Sequence, residues 1–150
     1  MRQSTQVAVY CISLPSTDRH YLLLRRIPSG GGFWQGISGG VEDDEDCLAA
    51  AKRELFEETG FEPVEIQQVD FSFTFPVPDD MRHLYDQPVD LLKEVVFLAR
   101  IEDTPAPVLN PIEHDAWKWC RYHEAMKLLY WRGNKESLKQ CEFHLCSQKR

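Results

Sequence analysis

Glu54, Glu57 and Glu58 are the residues of this 150-residue chain whose type and spacing could do chemistry. Intervals of three and four set side chains on one face of a helix. Three carboxylates gathered there repel one another, so a helix gains nothing from them. A divalent cation reverses the sign of that interaction, and hard oxygen ligands suit Mg²⁺ or Mn²⁺ better than zinc. Around the three acids stand Gly39, Glu45, Arg53, Gly60 and Phe61 at fixed intervals. The pattern is glycine, five residues, glutamate, seven residues, Arg-Glu-Leu, one residue, Glu-Glu, one residue, glycine and an apolar residue.

That pattern resembles the signature of the Nudix hydrolases at every fixed position of residues 39–61. Its fixed letters would match a random window with a probability on the order of 10⁻⁸ at average residue usage. A solvated acidic face accounts for Asp43, Asp44 and Asp46 but leaves the register of Arg53 and the two glycines unexplained. The resemblance implies an α/β/α sandwich around a mixed β-sheet, with the signature forming a loop–helix–loop inside one domain spanning residues 1–150. It implies hydrolysis of a nucleoside diphosphate linked to a further group, with Mg²⁺ or Mn²⁺ held by Glu54, Glu57 and Glu58. By the same resemblance Arg53 orients a neighbouring glutamate, Glu45 supports the loop, and Ser38 offers its main chain beside Gly39.

The flanking residues narrow the substrate. Phe33-Trp34-Gln35 precedes the signature, and Glu113-His114, Trp117-Lys118-Trp119, Trp131 and Asn134 follow it. These stretches resemble the branch of the family that hydrolyses dihydroneopterin triphosphate. The loop at residues 28–32 is longer here, and Gly36 follows Gln35, so the likeness departs at both places. It implies that Glu113 is a further metal ligand or a general base, and that Gln35 and His114 meet substrate. Trp34 would stack on a base or pterin ring. Arg25 and Arg26 end a strand, guanidinium forks suit phosphate, and Arg25 aligns better with the family. The expected reaction is cleavage of a nucleoside or pterin triphosphate to a monophosphate and pyrophosphate. A dinucleoside polyphosphate hydrolase and a non-catalytic nucleotide sensor are the alternatives, and the intact set of signature carboxylates disfavours the sensor.

Bulk composition sets the frame. Seventeen Lys and Arg against 24 Asp and Glu give a net charge of −7, a poor balance for sequence-independent nucleic-acid binding. No segment approaches the ~20 apolar residues needed to cross a bilayer. Five cysteines, with no Cys-x-x-Cys pair and no leader-like opening, point to reduced thiols in the cytoplasm; a monomer or homodimer acting on a small-molecule polyphosphate is the expected state. Cys141, His144 and Cys146 fit no standard zinc spacing.

Periodicity then places the acids. Alternation predicts strands over 7–14, 20–27, 33–38, 64–75, 91–101 and 113–122, the first two paired as a hairpin. A helix is expected from Asp44 or Asp46 to Thr59, with Leu48, Ala51 and Leu55 toward the core and Gly60 as its stop. Two further helices are expected over 123–131 and 134–145.

Overall fold

The computed structural model of the protein describes residues 1–147. Its centre is β1 (Arg2–Leu14), which runs parallel to β6 (Leu91–Glu102) from Thr5↔Lys93 to Leu14↔Glu102. Both strands are buried on two faces along Val7–Ile12 and Leu92–Ala99, apart from the exposed Lys93. A run of β-branched and aliphatic residues without alternation is the mark of such a strand. On one side β5 (Glu65–Pro76) pairs antiparallel with β6; on the other, β4 (Ile37–Glu42) pairs antiparallel with β1. A second group, β3 (Trp34–Gln35), β2 (Tyr21–Arg26) and β7 (His114–Cys120), joins through the single β1–β2 pair Ile12↔Tyr21. The first two strands therefore meet only near their turn, and β2 is held chiefly by β7 and β3 rather than as a long hairpin.

Strand parity divides the core into two layers. Val7, Val9 and Cys11, with Leu22, Leu24, Val95, Phe97 and Ala99, pack on Ala50, Ala51 and Leu55 of α1 (Cys47–Thr59). Ala8, Tyr10 and Ile12, with Tyr21, Leu23, Val96 and Leu98, pack on the other two helices. These are α2 (Tyr122–Leu128), through Ala125, and α3 (Arg132–Ser147), through Leu138, Cys141 and Leu145. Helices on both faces of a mixed sheet are the expected sandwich.

Asp46 caps α1, its carboxylate accepting from the Ala49 amide at 2.8 Å. Gly60, at φ 80°, ends it by returning its N–H to the Phe56 carbonyl. The buried stripe is Ala50, Ala51 and Leu55; Leu48, expected in the core, is 41% exposed. The strand expected over 33–38 is two strands separated by Gly36, and the second continues through Gly39 and Gly40 to Glu42. All five cysteines are unbonded, and Cys11, Cys120 and Cys141 are buried.

Candidate metal and hydrolase site

α1 and β4 meet at Gly39. A side chain there would collide with the carboxyl group of Glu54, so the missing Cβ is what admits that carboxylate to the strand surface. Arg53 fixes the loop before the helix. Its guanidinium pairs with both carboxylate oxygens of Glu45, donates to Glu54 at 2.8 Å, reaches Glu57 at 3.4 Å, and donates to the Gly40 carbonyl at 2.9 Å. Glu45 also accepts from the Glu42 amide at 2.9 Å. Glu45 is thereby occupied by Arg53 and the loop backbone. Hydrogen bonding from Arg53 holds its carboxyl below the usual range.

The three acids of the helix differ in environment. Glu57 is exposed, and Glu54 is half-buried beneath Gly39. Glu58 is 5% exposed and one of its carboxylate oxygens has no partner. Burial, and then the neighbouring carboxylates of Glu54 and Glu113, push the Glu58 carboxyl up to about 9, against the Ser38 amide and Arg26. Burial also raises Glu54, although Arg53 opposes it.

Glu113 and His114 arrive from the far side of the sheet at the start of β7. The turn before them is closed by Asn110, whose carbonyl accepts from both amides, and the Glu113 carbonyl accepts from the Ile27 amide of the segment after β2. Ligand-capable atoms of Glu58, Glu113 and His114 lie within 4.8 Å of one another. His114 is buried; its Nε2 lies 3.2 Å from the Gln35 amide nitrogen and its Nδ1 has no partner. Burial, then the charge of Arg26, push the imidazole down to about 4, so it is neutral at pH 7.

These residues fit a divalent cation. Glu58 and His114 each keep a buried polar atom without a partner among the described residues and cluster with the Glu113 carboxylate, and desolvated like charges need a positive ion between them. The tight group is Glu58, Glu113 and His114, whereas the sequence points to Glu54, Glu57, Glu58 and Glu113. Glu54 borders the group closely enough to perturb Glu58, and Glu57 stands at the solvent edge on Arg53.

The remaining sequence candidates divide between the two faces. Gln35 enters the group through His114. Ser38 enters through its amide, which donates to Glu58. Arg25 does not reach the acids: it pairs with Asp115 at 2.8 Å, and its guanidinium carbon sits 5.7 Å from the centre of the Trp34 ring. Trp34 packs against the layer of α2 and α3. Arg26, next along β2, acts electrostatically on both Glu58 and His114 and makes no ion pair among the described residues. Strand parity is the signal that favours Arg26, since Leu22, Leu24 and position 26 share the α1 face.

The NUDIX domain model matches residues 4–141. A dihydroneopterin triphosphate diphosphatase of Haemophilus influenzae is 29% identical over 147 residues, covering 95% of this chain and 89% of that protein. A NUDIX hydrolase structure from Listeria monocytogenes superposes with a TM-score of 0.83 at 26% identity, covering 97% of both chains. A protein of Myxococcus xanthus named octanoyltransferase is 31% identical over 134 residues, but the chain spans only 35% of its length. With the fold, the glycine–glutamate contact and the full signature in place, the chain belongs to the Nudix family and is a Nudix hydrolase.

Proposed function

We propose that the protein is a divalent-metal-dependent pyrophosphohydrolase that converts a nucleoside or pterin triphosphate to its monophosphate and pyrophosphate. The observation that carries this reading is the group of Glu58, Glu113 and His114, whose ligand-capable atoms lie within 4.8 Å of one another and in which Glu58 keeps a buried oxygen without a partner among the described residues. Glu58 and Glu54 would hold the metal, with Glu57 reaching it from the solvent side and Glu113 either a further ligand or the base. Mg²⁺ is the first choice and Mn²⁺ the second, because the donors are hard oxygens. When bound, the ion shields the charge of the polyphosphate and lowers the pKa of a water.

The chain's own residues do the rest. Arg53 fixes Glu54 and Glu57 by holding the β4 carbonyl of Gly40 and the Glu45 carboxylate in one fork. Arg26, without an ion pair among the described residues, is placed to meet a phosphate oxygen. Gln35 orients His114, whose neutral ring is free to bind a substrate oxygen or the ion. Glu113 is the candidate base for the attacking water, since it is less buried than Glu58. Near full-length similarity to a dihydroneopterin triphosphate diphosphatase supports a triphosphate substrate of small size.

The test is a Mg²⁺-dependent screen over neopterin triphosphates, deoxynucleotides, dinucleoside polyphosphates and sugar nucleotides, with products identified by ³¹P NMR. Pyrophosphate is the expected product. A nucleoside triphosphate product would indicate a dinucleoside polyphosphate hydrolase instead. Glu58→Gln is expected to lower turnover by at least ~10²-fold; activity within a few fold of the parent would overturn the metal-site account.

A further inference from the structure

Arg26 is half-buried and its charge is felt by Glu58 and His114, yet it makes no ion pair among the described residues. Opposite charges near a protein surface attract over several ångströms. A flexible side chain follows that pull unless something else holds it. A guanidinium settled among Glu54, Glu58 and Glu113 would take the place of a metal ion.

The turn after β2 is what holds it. Pro28–Gly30 forms one turn of 3₁₀ helix, and Gly31 (φ 110°) and Gly32 (φ 68°) bring the chain back toward β3. The turn is closed by its own backbone. Gly30 N–H donates to the Ile27 carbonyl at 2.9 Å, Gly31 N–H to Pro28 at 3.1 Å and Gly32 N–H to Ile27 at 3.2 Å. These three amides are satisfied, so they have nothing to offer a phosphate. The turn is also tied to its neighbours. Arg26 N–H donates to the Phe33 carbonyl at 2.9 Å, and Ile27 N–H to the Glu113 carbonyl at 3.0 Å.

What the turn contributes is a bare surface. A Cβ on Gly30 would stand 3.0 Å from both Nε and Nη2 of Arg26 and 3.3 Å from its Cζ, closer than ordinary contact. Those three atoms belong to one planar group, so the guanidinium lies where a side chain at position 30 would be. One short turn therefore touches the fork of Arg26 at Gly30 and the main chain of Glu113 at Ile27.

We propose that Gly30 is a positioning residue, whose missing side chain lets the turn seat the Arg26 guanidinium beside the acids without letting it close on them. The acids are thereby left for a metal ion and the guanidinium for a phosphate oxygen. The inference rests on the pyrophosphohydrolase reading for the identity of those two ligands, and adds to it what keeps cation and anions apart. Gly30 lies outside the left-handed region, unlike Gly31 and Gly32, so an alanine there adds no backbone strain and acts through Arg26. Unseated, the guanidinium is drawn onto the acid cluster and competes with the metal.

The experiment compares Gly30→Ala, Arg26→Ala and the double variant with the parent. Mn²⁺ affinity is read by electron paramagnetic resonance, binding of inorganic pyrophosphate with Mg²⁺ by calorimetry, and turnover of triphosphates by steady-state kinetics. Gly30→Ala should weaken Mn²⁺ by about 10-fold, weaken pyrophosphate as well, and raise KM more than it lowers kcat. Arg26→Ala should leave Mn²⁺ affinity at or above the parent value. In that background Gly30→Ala should change Mn²⁺ affinity by less than about twofold, because residues that act through one contact are not additive. An equal cost with and without Arg26, or parent affinities in Gly30→Ala, overturns the proposal. Circular dichroism identifies a variant that fails to fold. If Gly30→Ala alone does so, Arg26→Lys gives the second measure: lysine has no fork to seat, so Gly30→Ala should fold and be neutral in that background, and a failure there too overturns the proposal. If no triphosphate is cleaved, the hydrolase reading fails by itself, and the Mn²⁺ affinities still decide the role of Gly30.

Discussion

The carboxyl group of Glu54 occupies the space that a side chain on Gly39 would need. Strand and helix are thereby fitted to one another at the point where the acids converge, and the fit depends on a single absent carbon. Gly39→Ala should displace Glu54 and cost about 10²-fold in kcat/KM, since small misplacements of catalytic groups cost that much. The global fold should persist, because the clash is with a side chain and not with the core. Steady-state kinetics beside a thermal melt check this; unchanged activity would show that Glu54 needs no such seat.

Arg53 joins Glu45, Glu54, Glu57 and the Gly40 carbonyl. A lysine offers a point charge in place of a planar fork and cannot make these contacts together. Arg53→Lys should weaken metal affinity or activity by about 10–100-fold, the usual cost of losing an outer-shell support. Manganese titration followed by electron paramagnetic resonance measures the affinity. Recovery of the parent value by lysine would mean that charge alone suffices.

The metal-free protein should lose stability as pH rises. The Glu58 carboxyl is raised from 4.5 to about 9 in the folded state, so the folded chain holds its proton where the unfolded chain has released it. Its contribution is full below pH 4.5 and is lost as pH climbs toward 9. His114 has the opposite sign: lowered from 6.5 to about 4, it contributes fully above 6.5 and less as pH falls. The two windows oppose each other between 4.5 and 6.5, so the net fall is expected between 6.5 and 9. A tenfold difference in proton affinity between the folded and unfolded chain is worth about 1.4 kcal/mol, enough to move a melt by several °C. Melts in EDTA at both ends of that range should fall for the parent and stay flatter for Glu58→Gln, while Glu94, also raised, adds the same slope to both proteins. Metal binding at pH 7 should release protons, so calorimetric heats should vary with buffer ionisation; buffer-independent heats would contradict the protonated Glu58.

Arg26 and Arg25 should separate cleanly. Arg26 acts on Glu58 and His114 and has no ion pair of its own among the described residues, whereas Arg25 is engaged with Asp115 on the other face. Removing a phosphate-binding guanidinium should cost about 10–100-fold in kcat/KM. Arg26→Ala should show that loss, and Arg25→Ala should stay within a few fold. The reverse order would return the phosphate contact to Arg25.

Much of this is legible in the sequence where a period or a cap governs the local structure. Asp46 and Gly60 bound the helix, and the apolar run at 95–99 forms the buried centre of β6. Periodicity misplaces Leu48 because the stripe on α1 turns toward Ala50, whose small side chain lets the helix sit close to β1 and β4. It misses the start of β1 at Arg2 because the polar residues there gain their place from pairing with β4 and β6, which lie far along the chain. The sequence marks His114 as a substrate contact; its closeness to Glu58 depends on the β2–β7 pairing, which no local pattern announces. Glu94 lies inside an apolar strand and offers no local sign that its second oxygen is left bare.

Alternate residues of β1 belong to different layers: Val7 and Val9 back the helix of acids, while Gln6, Ala8 and Tyr10 face α3. The acids of α1 and the core under α3 thus share one ribbon of backbone yet touch it from opposite sides. Exchanging the even-numbered side chains therefore repacks the layer under α2 and α3 while the seat of the acids behind them stays as it is.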